Sequence, residues 1–164
     1  MTRVVVGFDL ATVSGWAIWK KPSPARWKVG TIDTCKKDTE GERWATFRGK
    51  ASLLLTTWND DPPALVVFED VRGHRGTYAA QLYGGYRAHL LELCHAGGLA
   101  VVGVKPSQLK RWATGKGNAD KPAMVERARA QLLEDGIDPP AKLTHDEADA
   151  ILLVAWALSG YHLQ

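Results

Sequence analysis

Cysteine is scarce in this chain, and the absence of any close-set cysteine pattern argues against two kinds of stabilised fold. Cys35 and Cys94 stand far apart, with no CxxC spacing around either. A disulfide framework or a structural zinc site requires more cysteines at shorter intervals. The two residues are therefore predicted to be reduced thiols, as is usual in the cytosol.

Long apolar runs are missing as well. A transmembrane helix requires about 20 apolar residues, and no segment approaches that length. The apolar run in the opening MTRVVVGFDL is also too short for a secretory signal. We expect no membrane partner and a cytoplasmic location.

A large surplus of one charge is missing too, because 21 basic and 18 acidic residues leave a formal net charge of only +3. The distribution is more informative, since the segment 105–121 contains a single acid, Asp120. Its basic residues are Lys105, Lys110, Arg111, Lys116 and Lys121. Such a cluster predicts contacts with nucleic-acid phosphates, with a solvated helix and loop as the alternative.

What is present is the composition of an ordinary globular protein, with 45% apolar and 24% charged residues in 164. A chain of this length fits one domain, and we expect a single domain over 1–164. Neither an internal repeat nor a low-complexity segment interrupts it.

Three β-rich segments open the chain, at 3–9, 15–20 and 26–33. Short turns separate them, the second marked by Pro22 and Pro24, so they are predicted to form an antiparallel meander. Two further buried strands are predicted at 64–70 and 99–104. Periodic apolar residues predict helices at 40–58, 77–95, 106–113, 121–134 and from about Thr144 onward.

This alternation of elements predicts an α/β fold. Strands that alternate with helices are usually joined by parallel crossovers. We therefore expect a five-stranded mixed sheet, with three antiparallel strands followed by two parallel ones, flanked by helices.

Acidic residues stand at the ends of two predicted buried strands. Asp9 ends the first strand, and Glu69 and Asp70 end the fourth. An isolated charge at such a position is unfavourable unless a cation meets it. If strands one and four are neighbours, Asp9 and Glu69 lie at the same edge of the sheet, whereas Asp70 is predicted to be a turn residue.

Two more acids open the last helix, in the segment THDEADAILLVAWAL. Thr144 and Glu147 have the spacing of a capping box, so Glu147 is predicted to be a cap. Asp146 and Asp149 then lie one turn apart on one helix face. Packed across the strand ends, this helix would bring four carboxylates into one site, although acids in a first helical turn also simply favour the helix dipole.

Four carboxylates in one place repel one another unless hard cations lie among them. Mg²⁺ prefers oxygen ligands and is often completed by substrate phosphates, and a pair of ions can hold both oxygens of a phosphoryl displacement. The pattern predicts a site for two Mg²⁺ ions, with Mn²⁺ able to substitute. In this hypothesis Asp9 bridges both ions, Glu69 and Asp149 complete the ligand shell on either side, and Asp146 assists the ion on the water side.

Beyond these individual features, the chain resembles the RuvC-type Holliday-junction resolvases of the ribonuclease H-like superfamily, in a compact phage or bacterial version. The resemblance covers most of the chain and is carried by VVVGFDLATVSGWAI, LVVFEDV, GVKPSQLKRWATGKGNADKPAMV and HDEADAILLVAWAL. It implies a ribonuclease H-like fold, and it places the family's four metal-binding acids on Asp9, Glu69, Asp146 and Asp149.

The resemblance also implies an activity and partners. Basic residues that hold substrate phosphates in the family correspond to Lys110 and Lys121, and Lys121 joins the four acids as a catalytic residue. Such enzymes are homodimers that nick four-way DNA in recombination and repair and leave a 5′-phosphate. A location in the cytoplasm of a bacterial or phage-infected cell is implied as well.

One segment departs from the bacterial pattern. Where relatives place an aromatic wedge after the second acid, this chain has Arg72, His74 and Arg75, with Tyr78 as the nearest ring. We expect Arg72 and Arg75 to contact DNA. A nuclease for structured RNA and a catalytically silent DNA-binding module stay open as alternatives.

Two smaller expectations complete the reading of the sequence. Gly84 and Gly85 interrupt the helix at 77–95, which suggests close approach of another backbone, from a partner helix or a second subunit. If a dimer forms, this helix is the candidate interface. His145 precedes Asp146 and is either a residue of the capping turn or a further ligand near the site.

Overall fold

The computed structural model describes residues 3–21, 26–57 and 61–161. Its strands are β1 Arg3–Asp9, β2 Val13–Lys21, β3 Arg26–Asp33, β4 Leu65–Glu69 and β5 Val101–Val104. Its helices are α1 Glu40–Thr56, α2 Thr77–Ala96, α3 Pro106–Thr114, α4 Lys121–Glu134 and α5 His145–Trp156, the last continued by a π-helical segment, Ala157–Tyr161. The predicted turn at Pro22 and Pro24 and the predicted helix end at Trp58 lie outside the described residues.

The five strands form one sheet in the order β3-β2-β1-β4-β5. Strands β3, β2 and β1 pair antiparallel, whereas β1 with β4 and β4 with β5 pair parallel. The predicted α/β class and mixed sheet are therefore confirmed. The predicted bounds differ from the observed ones by one or two residues, because the ends of short strands depend on register rather than on composition.

Each face of the sheet is covered by helices. On one face Val4, Val6 and Phe8 of β1 pack with buried residues of α1 and α2. On the other face Val5 packs with α4 and α5. Because side chains alternate along a strand, Asp9 follows Val5 onto the α5 face.

Helix α5 lies directly against the sheet, which leaves no space for side chains at two glycines. A Cβ atom at Gly7 would lie 2.6 Å from the carbonyl oxygen of Ala150. A Cβ atom at Gly15 would overlap with the carbonyl group of Asp146. Glycine inside a strand often marks such a close backbone approach. Since Gly15 pairs with Asp9, this contact places the start of α5 beside the end of β1.

Of the two glycines in α2, only Gly85 meets a close neighbour, and that neighbour is a side chain of a partner helix. A Cβ atom at Gly85 would overlap the indole of Trp44, whose Nε1 donates to the carbonyl of Leu82 across 3.3 Å. Gly85 therefore accommodates a side chain of α1 in the same chain, rather than a second backbone. Around the Cβ position of Gly84 there is open space.

This contrast predicts opposite effects of the same substitution at adjacent positions. Gly84→Ala should raise the free energy of unfolding by about 0.5 to 1 kcal/mol, because alanine is the better helix former and meets no neighbour. Gly85→Ala should lower it by about 1 to 3 kcal/mol, because Trp44 must move. Chemical denaturation of both variants checks the prediction, and a neutral Gly85→Ala would contradict the packing.

The structure also bears on the cysteines and on the length of the apolar helices. Cys35 and Cys94 are both free thiols, the first exposed and the second buried. Among the residues described, none of the helices is both long and apolar enough to cross a membrane.

Candidate active site

Two carboxylates meet at the carboxyl ends of neighbouring parallel strands. Asp9 and Glu69 each stand two residues beyond the paired residues Gly7 and Val67, so they are level with each other. Both side chains extend from the face covered by α5. Asp9 is only 8% exposed, and a charge at that depth requires a partner.

Two further carboxylates come from the start of α5. Thr144 accepts a hydrogen bond from the Glu147 amide at 3.2 Å, and the Glu147 carboxylate accepts one from the Thr144 amide at 2.9 Å. This capping box confirms the role predicted for Glu147. It fixes the first turn of α5, so Asp146 and Asp149 lie one turn apart at the helix end that touches β2.

The four carboxylates lie close enough to one another to perturb the pKa of Asp9. Burial raises the pKa of Asp9 well above its usual range, and the nearby charges of Glu69, Asp149 and Asp146 raise it further. Burial, followed by the charge of Asp149, raises the pKa of Glu69 to about 7. Four acids from three elements therefore repel one another in a low-dielectric pocket.

The acids of α5 are perturbed in the same direction. Burial raises the pKa of Asp149 to about 6, although His145 and Lys110 act against the rise. Burial also raises the pKa of Asp146, against the opposing charges of His145 and Lys121. Titratable groups with strongly shifted pKa values in one cleft are characteristic of functional sites.

Lys110 and Lys121 lower the pKa values of these carboxylates. Lys110 lowers the pKa of Glu69, and Lys121 lowers that of Asp9. Lys110 is partly buried and Lys121 is exposed. Both therefore lie close enough to the acids to affect their pKa values.

The donor chemistry of this site fits a divalent cation. Asp149 has a buried Oδ1 atom without a hydrogen-bond partner, and the surrounding ligand atoms are carboxylate oxygens, which Mg²⁺ prefers. Across the described ranges, no group of three or more His, Cys, Asp or Glu side chains is placed so that it could hold a metal ion as it stands.

His145 lies between an acid and a lysine of the site. Its Nε2 atom is 3.1 Å from Asp146 Oδ1 and 3.1 Å from Lys121 Nζ. One ring nitrogen cannot donate to the carboxylate and accept from the ammonium at the same time. His145 therefore contacts two residues of the site in addition to its place in the capping turn. Whether Nε2 carries a proton determines whether it donates to Asp146 or accepts from Lys121.

Asp70 differs from the turn residue that was predicted. It is buried and forms ion pairs with Arg72 (Oδ2 to Nη2, 2.9 Å) and with Arg87 of α2 (Oδ1 to Nε, 3.4 Å). Its role is to attach the start of the 70–76 loop to α2. The partner Arg87 is distant in sequence and carried no signal that pointed to Asp70.

The remaining basic residues lie outside this cluster of charges. Arg72 is exposed but engaged by Asp70. The others that were predicted to bind DNA are exposed on the 70–76 loop, on α3 and its N-cap, and on the following glycine loop; they are Arg75, Lys105, Arg111 and Lys116.

Comparison with known proteins identifies the fold. No protein-family model and no curated protein sequence matches the chain. Among solved structures, RuvC of Thermus thermophilus has a TM-score of 0.74 at 23% identity, with 96% of each chain covered. T. thermophilus RuvC in complex with a Holliday junction substrate has a TM-score of 0.76 at 22% identity and covers 93% of this chain and 90% of that one.

A more distant structure shares the same arrangement. The yeast mitochondrial Holliday junction resolvase Ydc2 has a TM-score of 0.58 at 14% identity, over 92% of this chain and 75% of that one. The chain therefore has the RuvC and ribonuclease H-like fold, as the resemblance in sequence predicted.

Proposed function

We propose that this chain is a metal-dependent endonuclease that nicks branched DNA, with the four-way junction as its main substrate. The observation that carries the proposal is the convergence of Asp9, Glu69, Asp146 and Asp149 at the carboxyl edge of a RuvC-like sheet. The fold it shares with Holliday-junction resolvases supports the choice of substrate.

The four acids would hold two Mg²⁺ ions, or Mn²⁺ in their place. Bound Mg²⁺ supplies a Lewis acid and an activated water for phosphodiester hydrolysis, which leaves a 5′-phosphate. The chain itself contributes rigid positions, because Asp9 and Glu69 end adjacent strands and Asp146 and Asp149 belong to a capped helix. Positions on such elements are more precise than positions on loops.

The two lysines would bind the scissile or adjacent phosphate. Lys121 opens α4 directly after its N-cap, Asp120, and is in contact with His145. An ammonium group there offsets negative charge that would otherwise repel DNA from four carboxylates.

Removing Lys121 should therefore slow cleavage more than removing another lysine of the same basic segment. We expect Lys121→Ala to reduce the cleavage rate about a hundredfold, as for the loss of one group that stabilises transition-state charge. Lys116→Ala removes an equal charge from the exposed glycine loop and should reduce the rate far less. Single-turnover rates on a four-way junction make the comparison, and equal losses in the two variants would contradict it.

The DNA surface would extend from the site along two exposed basic segments. One is the loop with Arg72 and Arg75, and the other includes Lys105, Arg111 and Lys116. Phosphate contacts from such residues fix orientation rather than sequence. Binding should accordingly weaken steeply with salt.

A homodimer would present two sites to the two strands cut in a junction, and the exposed face of α2 is the proposed contact. Gly84→Arg should shift the sedimentation coefficient from dimer to monomer, because a long side chain would project from that face without disturbing the monomer. Gly84→Ala is the matched control and should remain dimeric. A dimer that survives Gly84→Arg would place the interface elsewhere.

A panel of substrates tests the proposal as a whole. Four-way DNA, flap DNA, linear duplex and structured RNA are incubated with Mg²⁺ or Mn²⁺, and the products are resolved on denaturing gels. The proposal predicts paired nicks in the four-way DNA with 5′-phosphate ends. Preferred cleavage of RNA would replace it with a ribonuclease, and DNA binding without calorimetric metal binding would indicate a silent module.

A further inference from the structure

The end of β4 is held by a side chain from α2, where main-chain pairing with β1 has stopped. The β1–β4 register ends at Phe8 and Phe68. Beyond it, the Tyr83 hydroxyl donates to the carbonyl of Glu69 at 2.8 Å and accepts from the amide of Val71 at 2.9 Å. One phenol thus bonds to the main chain on both sides of the Glu69–Val71 step.

Tyr83 is itself firmly placed. It is 7% exposed, and Leu82 and Tyr86 of the same helix are buried in the core. The ring of His74 lies against the Tyr83 ring, with centroids 4.6 Å apart. A tyrosine hydroxyl is protonated at neutral pH, so it can donate one hydrogen bond and accept another.

The opposite side of this step is held by β5. The Asp70 amide donates to the Val104 carbonyl at 2.8 Å, and the Asp70 side chain is paired with Arg72 and Arg87. Val71 and Glu69 therefore depend on Tyr83 for the bonds that face away from β5. The side-chain direction of Glu69 follows from this main-chain conformation, since Glu69 is the last residue of its strand.

We propose that Tyr83 is a positioning residue, which fixes the main chain around Glu69 so that its carboxylate is held ready to bind a divalent cation. This inference rests on the proposed function for its chemical consequence. The hydrogen bonds of Tyr83 themselves do not depend on it. Partners behind the ligands of a metal site typically change metal affinity by 10- to 100-fold when they are removed.

The test compares two tyrosines that lie one turn apart on α2. Tyr83→Phe removes the hydroxyl between Glu69 and Val71. Tyr86→Phe removes a buried hydroxyl, which lies 2.7 Å from Thr34 Oγ1 and away from the end of β4. Tyr83→Phe loses two hydrogen bonds and Tyr86→Phe loses one, so both should lower the melting temperature, and stability alone does not identify a positioning role.

The first readout is amide hydrogen exchange of the metal-free protein. We expect Tyr83→Phe to accelerate exchange at Val71 by at least tenfold and to leave the core of β1 protected, whereas Tyr86→Phe leaves Val71 unchanged. The second readout is the Mg²⁺ concentration at half-maximal cleavage, which should rise about tenfold in Tyr83→Phe only, with the rate at saturating Mg²⁺ largely kept.

The outcomes separate the two proposals. Unchanged exchange at Val71, or the same change in both variants, overturns the positioning role whether or not the protein cleaves DNA. Altered exchange with an unchanged Mg²⁺ requirement also overturns it. A parent protein that neither binds metal nor cleaves refutes the proposed function, while the exchange experiment still decides whether Tyr83 holds the end of β4.

Discussion

Asp9→Asn is expected to abolish cleavage of a four-way junction while the DNA remains bound as tightly as before, or more tightly. Asp9 is the deepest of the four acids, and its pKa is raised by the charges of the other three. An amide of nearly the same shape would hold a divalent cation poorly. Losing several kcal/mol of transition-state stabilisation corresponds to a rate reduction of about a thousandfold or more.

Binding should respond in the opposite direction, because the substitution removes one negative charge from a site that must accept a phosphate. Gel-shift titration in Ca²⁺ or without metal measures affinity, and single-turnover cleavage in Mg²⁺ measures the rate. A loss of cleavage without a loss of DNA affinity is the result specific to a metal-binding role of Asp9. A general loss of structure would reduce both together.

Asp33→Asn is the matched control, since Asp33 ends β3 as Asp9 ends β1. Asp33 is exposed, and its carboxylate accepts a hydrogen bond from the Cys35 amide at 2.8 Å. Cleavage by this variant should stay close to that of the parent. If Asp9→Asn cuts DNA at near the parent rate, Asp9 is not a catalytic residue.

Much of the sheet could be predicted because its signals are local. Apolar runs bounded by turns indicated the strands, and acids after buried runs indicated the edge where Asp9 and Glu69 meet. The capping spacing of Thr144 and Glu147 was likewise contained in four residues and was confirmed by hydrogen bonds in both directions.

What could not be predicted depends on pairs that are distant in sequence. The ion pair of Asp70 with Arg87 and the bonds of Tyr83 to the end of β4 join residues 12 to 17 positions apart across two elements. Gly15 could have predicted the position of α5 from the sequence. A glycine opposite an acid inside a strand predicts that a backbone crosses there, and α5 does so.

The same reasoning explains the error at Gly85. A glycine within a helix indicates close approach, but composition does not say whether the approaching group is a side chain, a backbone or a second subunit. Here it is the indole of Trp44. The homodimer stays a prediction.

Raising the pH should destabilise the metal-free protein, and Mg²⁺ should restore its stability. Glu69 has a pKa raised from 4.5 to about 7, and Asp149 one raised from 3.8 to about 6. An acid with a higher pKa when folded binds its proton more tightly in the folded state. The loss in the free energy of unfolding is therefore zero below the pKa of the unfolded state. It grows as the pH rises from about 4 and is complete above the pKa of the folded state.

The size of the effect follows from these values. For Glu69 alone the rise corresponds to about 3 kcal/mol of stability lost by pH 8. The contribution of Asp149 is similar in size but not additive, because the two charges raise each other's cost. Urea denaturation in a chelator at pH 5 and pH 8 measures the loss, and Glu69→Gln should reduce it.

Mg²⁺ is expected to reverse the loss at pH 8 because it binds the ionised carboxylates of the folded state. An ion at a hundredfold excess over its Kd adds about 2.7 kcal/mol. At pH 5 the same addition should have a much smaller effect, since protons compete for the carboxylates. Stability that is equal at pH 5 and pH 8 without metal, or that Mg²⁺ leaves unchanged at pH 8, would mean that these acids are not gathered around a shared cation site.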